Sequence, residues 1–265
     1  MLKRKSIIKI NSHKLIKIYN NIKLKKRFKL IHGQGRAAAR FALTCAHRAV
    51  NPDHNQNKKG RAPALITAPL IHTFGDSHSK HGWNNSIKKH HIGPCLCYSF
   101  GQEKLNRCNI NNFNINNGDS IVFCFGEIDC RCHIHKYISV TKSYQTIIDE
   151  IVTNYIDAIL LNIQNCKVKL KNICIYNIIP PTQTQQYIIK KDPFFPHLGS
   201  DKERKMYVLY FNKLLKEYCV LNNWIFFDIY ENYTDENGFL NKKFSYDNVH
   251  ISNGIFIDKF IKDNI

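Results

Sequence analysis

From residue 65 onward, short continuous apolar runs alternate with stretches in which apolar residues recur every three or four positions. Residues 65–74, interrupted by Pro69, predict a first strand, and residues 95–100 (Cys-Leu-Cys-Tyr-Ser-Phe) a second. Residues 120–125 form an unbroken apolar run ending at Gly126, as expected of a strand buried on both faces. Residues 172–179, stopped by Pro180 and Pro181, and residues 224–228 predict two more. Helical spacing is clearest over residues 144–165, where Ile147, Ile148, Ile151, Tyr155, Ile159 and Ile163 share one face. Residues 201–221, with Ser200 or Asp201 as cap, and residues 255–261 predict two further helices. The Asn-rich residues 106–117 and the segment up to Ser200 read as loops. Strands alternating with helices imply an α/β fold, a three-layer α/β/α sandwich around a mainly parallel sheet.

Charge divides the chain. Of 265 residues carrying a net charge of +19, residues 1–70 hold 17 Lys and Arg against one acid, Asp53. Nine of the ten alanines also fall between residues 37 and 68, so the composition breaks near residue 70. The expected organisation is a basic N-terminal extension, 1–64, and a main domain, 65–265. Residues 1–31 fit a basic amphipathic helix on nucleic acid or an anionic membrane, a transit-type targeting segment, or a solvated tail. Residues 35–50 could form a short helix and residues 51–60 a loop. The 43% hydrophobic content supports a core, and no window approaches about 18 uninterrupted apolar residues, so a soluble protein is expected. Neither an apolar secretory h-region nor a short disulfide framework is present. The ten scattered cysteines read as reduced thiols, and the expected location is cytoplasmic.

Candidate chemistry begins at Gly75-Asp76-Ser77, where the first apolar run ends in a tight turn. By itself that is ordinary turn chemistry. Near the other end stands Asp247-Asn248-Val249-His250, whose acid and histidine, three residues apart, can meet on one turn. A carboxylate on one ring nitrogen leaves the other free as a base, which a serine hydroxyl needs before it can attack. Ser77, Asp247 and His250 thus supply an acyl-transfer triad in the order Ser, Asp, His.

In these blocks, together with a glycine after the second element and Gly126-Glu127-Ile128-Asp129 after a middle strand, residues 65–265 resemble the SGNH or GDSL hydrolases. The resemblance implies a flavodoxin-like sandwich, Ser77 as nucleophile and Asp247 with His250 as the base pair. It also implies an oxyanion hole containing the amides of Ser77 and of Gly93, the counterpart of the family's second-block glycine. One block departs from the pattern, since Ile128 stands where the family carries an oxyanion-donating Asn. The run from Phe125 to Ile134 resembles SGNH-like domains associated with glycan modification. In it Arg131 could replace the missing donor, bind an anionic or sugar group, or simply pair with Glu127 or Asp129. His91, Glu127 and Asp129 are the substrate-binding candidates. Cys130, Cys132, His133 and His135 are metal-capable, but no second ligand pair accompanies them, so no metal is expected. No cofactor is implied, and no Gly-rich phosphate loop supports nucleotide hydrolysis.

The expected function is serine-dependent hydrolysis or transfer of an ester-linked acyl group, with O-acyl groups of a carbohydrate as candidate substrates. The alternatives are a catalytically weakened glycan-binding relative, or a nucleic-acid or membrane-associated protein acting through residues 1–64.

Overall fold

The computed structural model describes residues 68–184, 194–247 and 249–265. The chain divides into two units, Met1–Leu65 and Ile66–Ile265, and every described residue belongs to the second. The expectations for the extension, for the helix at 35–50 and for the loop at 51–60 lie outside the described residues.

Five strands form one sheet: β1 (Ile71–Gly75), β2 (Lys88–His91), β3 (Ser120–Cys124), β4 (Ile173–Tyr176) and β5 (Ile225–Phe227). Their order is β2-β1-β3-β4-β5, and every pairing is parallel. Among the described residues the longer helices accompanying them are α1 (Cys97–Glu103), α2 (Tyr144–Gln164), α3 (Asp201–Asn222) and α4 (Ile255–Asn264). Alternate residues of the buried strands face opposite sides. Ile121, Phe123 and Ile175 pack with Ile151 and Tyr155 of α2 and Phe211 and Leu215 of α3. Val122, Cys124, Cys174 and Tyr176 pack on the other side with Ile257 of α4 and with Trp83. Apolar layers on both faces are what permit a parallel sheet, and they make this a three-layer α/β/α sandwich.

The helices carry their own boundary signals. Ser143 caps α2 by accepting from the Thr146 amide. Ser200 and Glu203 form a reciprocal capping box at α3, which closes at Asn223 in the left-handed region (φ 56°). No helix among the described residues is long and apolar enough to cross a membrane.

One expectation needs correction. Residues 95–100 are not the second strand, because from Cys97 they belong to α1. Cys97, Phe100 and Gly101 are buried at helical spacing, and a Cβ on Gly101 would stand 2.9 Å from the Asn154 Cβ, so α1 lies close on α2. The second strand is instead the polar Lys88-Lys89-His90-His91, which among the described strands pairs only with β1. An edge strand half open to solvent needs no apolar run, which is why the pattern does not reveal it.

Candidate active site

In open parallel sheets, ligands collect at the carboxyl edge where the strand order reverses, here between β1 and β3. Ser77 lies just past that end of β1. Gly75 and Cys124 are paired across β1 and β3, and a Cβ on Gly75 would overlap the Cys124 carbonyl oxygen and stand 2.7 Å from its carbon. Glycine is therefore what lets the two strands end side by side. Asp76 then caps the short 3₁₀ turn Ser77–Ser79, accepting from the His78 amide at 2.9 Å. Thr73 Oγ1 donates to the Ser79 carbonyl at 2.6 Å, and Ser79 Oγ to the Asp76 carbonyl at 2.8 Å. These bonds fix the backbone around a half-buried Ser77.

The partner segment is shaped by one carboxylate. Asp247 Oδ1 accepts from the amides of Val249 and His250 at 3.0 and 2.8 Å, and its Oδ2 lies 2.5 Å from His250 Nδ1. Because Nδ1–H donates to Asp247, Nε2 is the acceptor, and the Ser77 hydroxyl donates to it at 2.6 Å. Ser77, His250 and Asp247 thus form one hydrogen-bonded chain. The segment is held by the Ile251 side chain in the core, by the Ser252 amide donating to the Phe244 carbonyl at 2.8 Å, and by Tyr233 Oη donating to the Asn253 carbonyl at 2.8 Å.

Electrostatics favour a neutral His250. Burial lowers its pKa from 6.5, and nearby His78 lowers it further, against the opposing pull of Asp247. His81, with its ring 4.3 Å from that of His250 and its Nδ1 2.7 Å from Tyr246 Oη, is brought down to about 4 by burial and by His250. Tyr246 was not a sequence candidate. It stacks on His250 at 6.1 Å, and nothing in its local sequence marks it.

The remaining candidates divide. Gly93 lies near Ser77, because Gly75 pairs with His91 and the Ile92 amide donates to the Gly75 carbonyl at 2.8 Å. Its φ of +96° suits glycine. Among the described residues the amides of Ser77 and Gly93 make no hydrogen bond. His91 is exposed at the end of β2. Ile128 is 4% exposed and brings no polar group to the missing Asn position.

Arg131 is engaged elsewhere than the expected oxyanion role. Its Nε and Nη2 donate to Glu127 at 2.7 and 3.0 Å, and its Nη1 to the Phe195 carbonyl at 2.5 Å. Burial raises the Glu127 pKa, but Arg131 outweighs it and holds the carboxylate ionised. Glu127 and Arg131 line a cleft with His197, Arg204 and Val249, the last adjacent to His250.

Asp129, a substrate-binding candidate, is held by backbone amides. It is fully buried and accepts from the Cys97 and Tyr98 amides at 2.6 and 3.1 Å, so that it satisfies the first amides of α1 from another part of the chain. Burial pushes its pKa up to about 7 against those two hydrogen bonds. Replacing Asp129 with Ala leaves both amides unsatisfied, with an expected loss of about 2–3 kcal/mol in urea denaturation. An unchanged unfolding midpoint would remove this assignment. The metal-capable group disperses: Cys132 Sγ donates to the Ile128 carbonyl, His133 packs between Tyr98 and Tyr137, and His135 bonds Tyr207.

No protein-family model matches the chain, and no curated protein sequence does. Solved structures do. One, of a candidate platelet activating factor from Streptococcus pneumoniae, is 18% identical and matches with a TM-score of 0.52 over 76% of this chain and 85% of its own. Another, of a candidate acylhydrolase from Bacteroides fragilis, is 16% identical, with a TM-score of 0.50 over 76% of this chain and 90% of its own. With its 2-1-3-4-5 parallel sheet and the Gly-Asp-Ser turn at the end of β1, the chain has an SGNH/GDSL-hydrolase-like fold.

Proposed function

We propose that the protein is a serine-dependent ester hydrolase or acyl transferase. The observation that carries this reading is the unbroken chain from Ser77 Oγ to His250 Nε2 at 2.6 Å and from His250 Nδ1 to Asp247 Oδ2 at 2.5 Å. Oγ attacks the acyl carbon as its proton passes to Nε2, forming a tetrahedral oxyanion. The imidazolium is stabilised by Asp247 and returns that proton to the leaving alkoxide as the C–O bond breaks. An acyl-Ser77 remains. Water, or an acceptor hydroxyl in the transferase case, then attacks the acyl carbon as its proton passes to the same nitrogen, and that proton returns to Ser77 Oγ as the acyl–Oγ bond breaks. The unbonded amides of Ser77 and Gly93 are the oxyanion donors we assign. A hole of two backbone donors lacks the third that an Asn at position 128 would add, and one donor is worth about 10²–10³ in rate.

For the acyl acceptor we favour a hydroxyl-rich group of carbohydrate type. The support is the likeness of the run from Phe125 to Ile134 to glycan-modifying SGNH-like domains. The cleft beside His250 adds to it, since its two arginines are both paired, Arg131 with Glu127 and Arg204 with Asp201, and so present no net charge there. The buried Ile128 favours one second reading, a glycan-binding relative of weak activity.

A fluorophosphonate probe separates the two. Labelling of the wild-type chain that disappears in Ser77→Ala, together with hydrolysis of a short acetyl ester, supports the hydrolase. A wild-type chain that takes no label, or equal labelling of the variant, sinks it and leaves glycan binding as the function to assay.

A further inference from the structure

The residue after the nucleophile has no part in the chemistry above, yet it has the most constrained surroundings of any histidine near the site. His78 is 6% exposed. Its Nδ1 lies 3.0 Å from Asp76 Oδ1 and its Nε2 3.3 Å from the Val249 carbonyl oxygen. Neither a carboxylate nor a carbonyl can donate, so both ring nitrogens must. Only the imidazolium has two N–H groups. A second observation agrees. Asp76 is fully buried and its Oδ2 has no hydrogen-bond partner among the described residues, an arrangement that is costly for a carboxylate unless a cation stands beside it.

We propose that His78 is a positioning residue carried as an imidazolium, whose two N–H groups join the Asp76 carboxylate under the nucleophile turn to the Val249 carbonyl and so hold His250 against Ser77. The inference rests on the hydrolase reading for its kinetic consequence but not for its geometry. Val249 directly precedes His250, so a bond at its carbonyl fixes the peptide from which the imidazole projects. The bond spans 171 residues of sequence and ties the first strand's turn to the Asp247–His250 segment.

The cation also acts through space. The rings of His78 and His250 are 5.0 Å apart, close enough for like charges to oppose each other. The groups facing His78 are Asp76 on its own turn, His81 just after that turn, Glu127 from the third block, and His250 with the Val249 carbonyl from the C-terminal segment. His250 additionally faces Asp247, His81 and Glu127. For His78, burial pulls the pKa down, but Asp76, Glu127 and Val249 together outweigh it and the net direction is up. For His250 the direction is down from 6.5, with His78 the largest cause after burial. His250 is therefore a neutral base at a pH where a free imidazole is already half protonated, and the acid limb of the labelling rate lies below 6.5.

The test uses the full chain with ¹⁵N-labelled histidine. Both His78 nitrogens should show protonated imidazolium signals at pH 7 and disappear in His78→Gln. Gln keeps a donor for Val249 but loses the charge, and Phe loses both. We expect His78→Gln to move the acid midpoint of fluorophosphonate labelling upward by about one pH unit. For His78→Phe the rate should also fall about a hundredfold. A His78 signal of either neutral tautomer at pH 7 overturns the proposal even if no variant folds. So does an unshifted acid limb in both variants. If the wild-type chain does not label at Ser77, the hydrolase reading fails, and the downfield proton between His250 Nδ1 and Asp247 decides the positioning claim. Its loss in His78→Phe supports the claim, and its persistence overturns it.

Discussion

Replacing His250 with Ala should lower kcat/KM for a short acetyl ester by about 10⁴-fold or more, with little change in unfolding midpoint. The expectation follows from the direction of the proton. The Ser77 hydroxyl is bonded to one acceptor, His250 Nε2, and with that ring gone the bond is replaced by water. Stability should change little because the His250 side chain is part-exposed, and the segment keeps the buried Ile251 and the Tyr233 bond to Asn253. The double variant Ser77→Ala, His250→Ala should be no slower than the worse single one, since groups acting as a unit lose their effect together. If His250→Ala stays within about tenfold of wild type, the base has been misassigned. His81, whose ring is 4.3 Å away and low in pKa, would then be the residue to replace next.

Gly75→Ala should be among the most damaging single methyls in the domain, costing more than about 4 kcal/mol and yielding little folded protein. The added carbon would overlap the Cys124 carbonyl oxygen and stand 2.7 Å from its carbon and 2.9 Å from its Cβ. Backbone in the central pair of strands cannot step aside without breaking the β1–β3 ladder. The control is Gly93→Ala. There nothing lies within 4 Å of the new carbon, and only the φ of +96° is unfavourable, a strain on the order of 1–3 kcal/mol. Urea denaturation of both would rank them. A Gly75→Ala protein as stable as Gly93→Ala would mean that the two strands tolerate separation.

The elements that the sequence reveals are those whose burial writes a local pattern. Residues 120–125 are read correctly because β3 is buried on both faces, and residues 144–165 because α2 buries one stripe. Residues 95–100 mislead because Cys95 and Cys97 alternate as in a strand. The helix there is started by Asp129, which lies 32 residues beyond the Cys97 amide it accepts from. The candidate site divides in the same way. Asp247 and His250 are three residues apart, so their pairing is readable, and the structure brings Ser77 to them. The bonds from the first amides of α1 to Asp129 and the bond from His78 to Val249 are contacts between distant segments, and nothing beside either residue announces them. Arg131 falls between, since its spacing of four from Glu127 already allowed the ion pair that the structure contains.

The polarity that hides β2 from a reading of apolar runs has a use of its own. The open side of an edge strand is a template on which another molecule's strand can grow, and proteins discourage this with charged side chains along it. With Lys88 exposed and Lys89 beside it, a second copy approaching this edge would bring like charges together before any backbone bond could form. The four residues that position Gly93 beside Ser77 therefore also guard the sheet against extending itself into an aggregate.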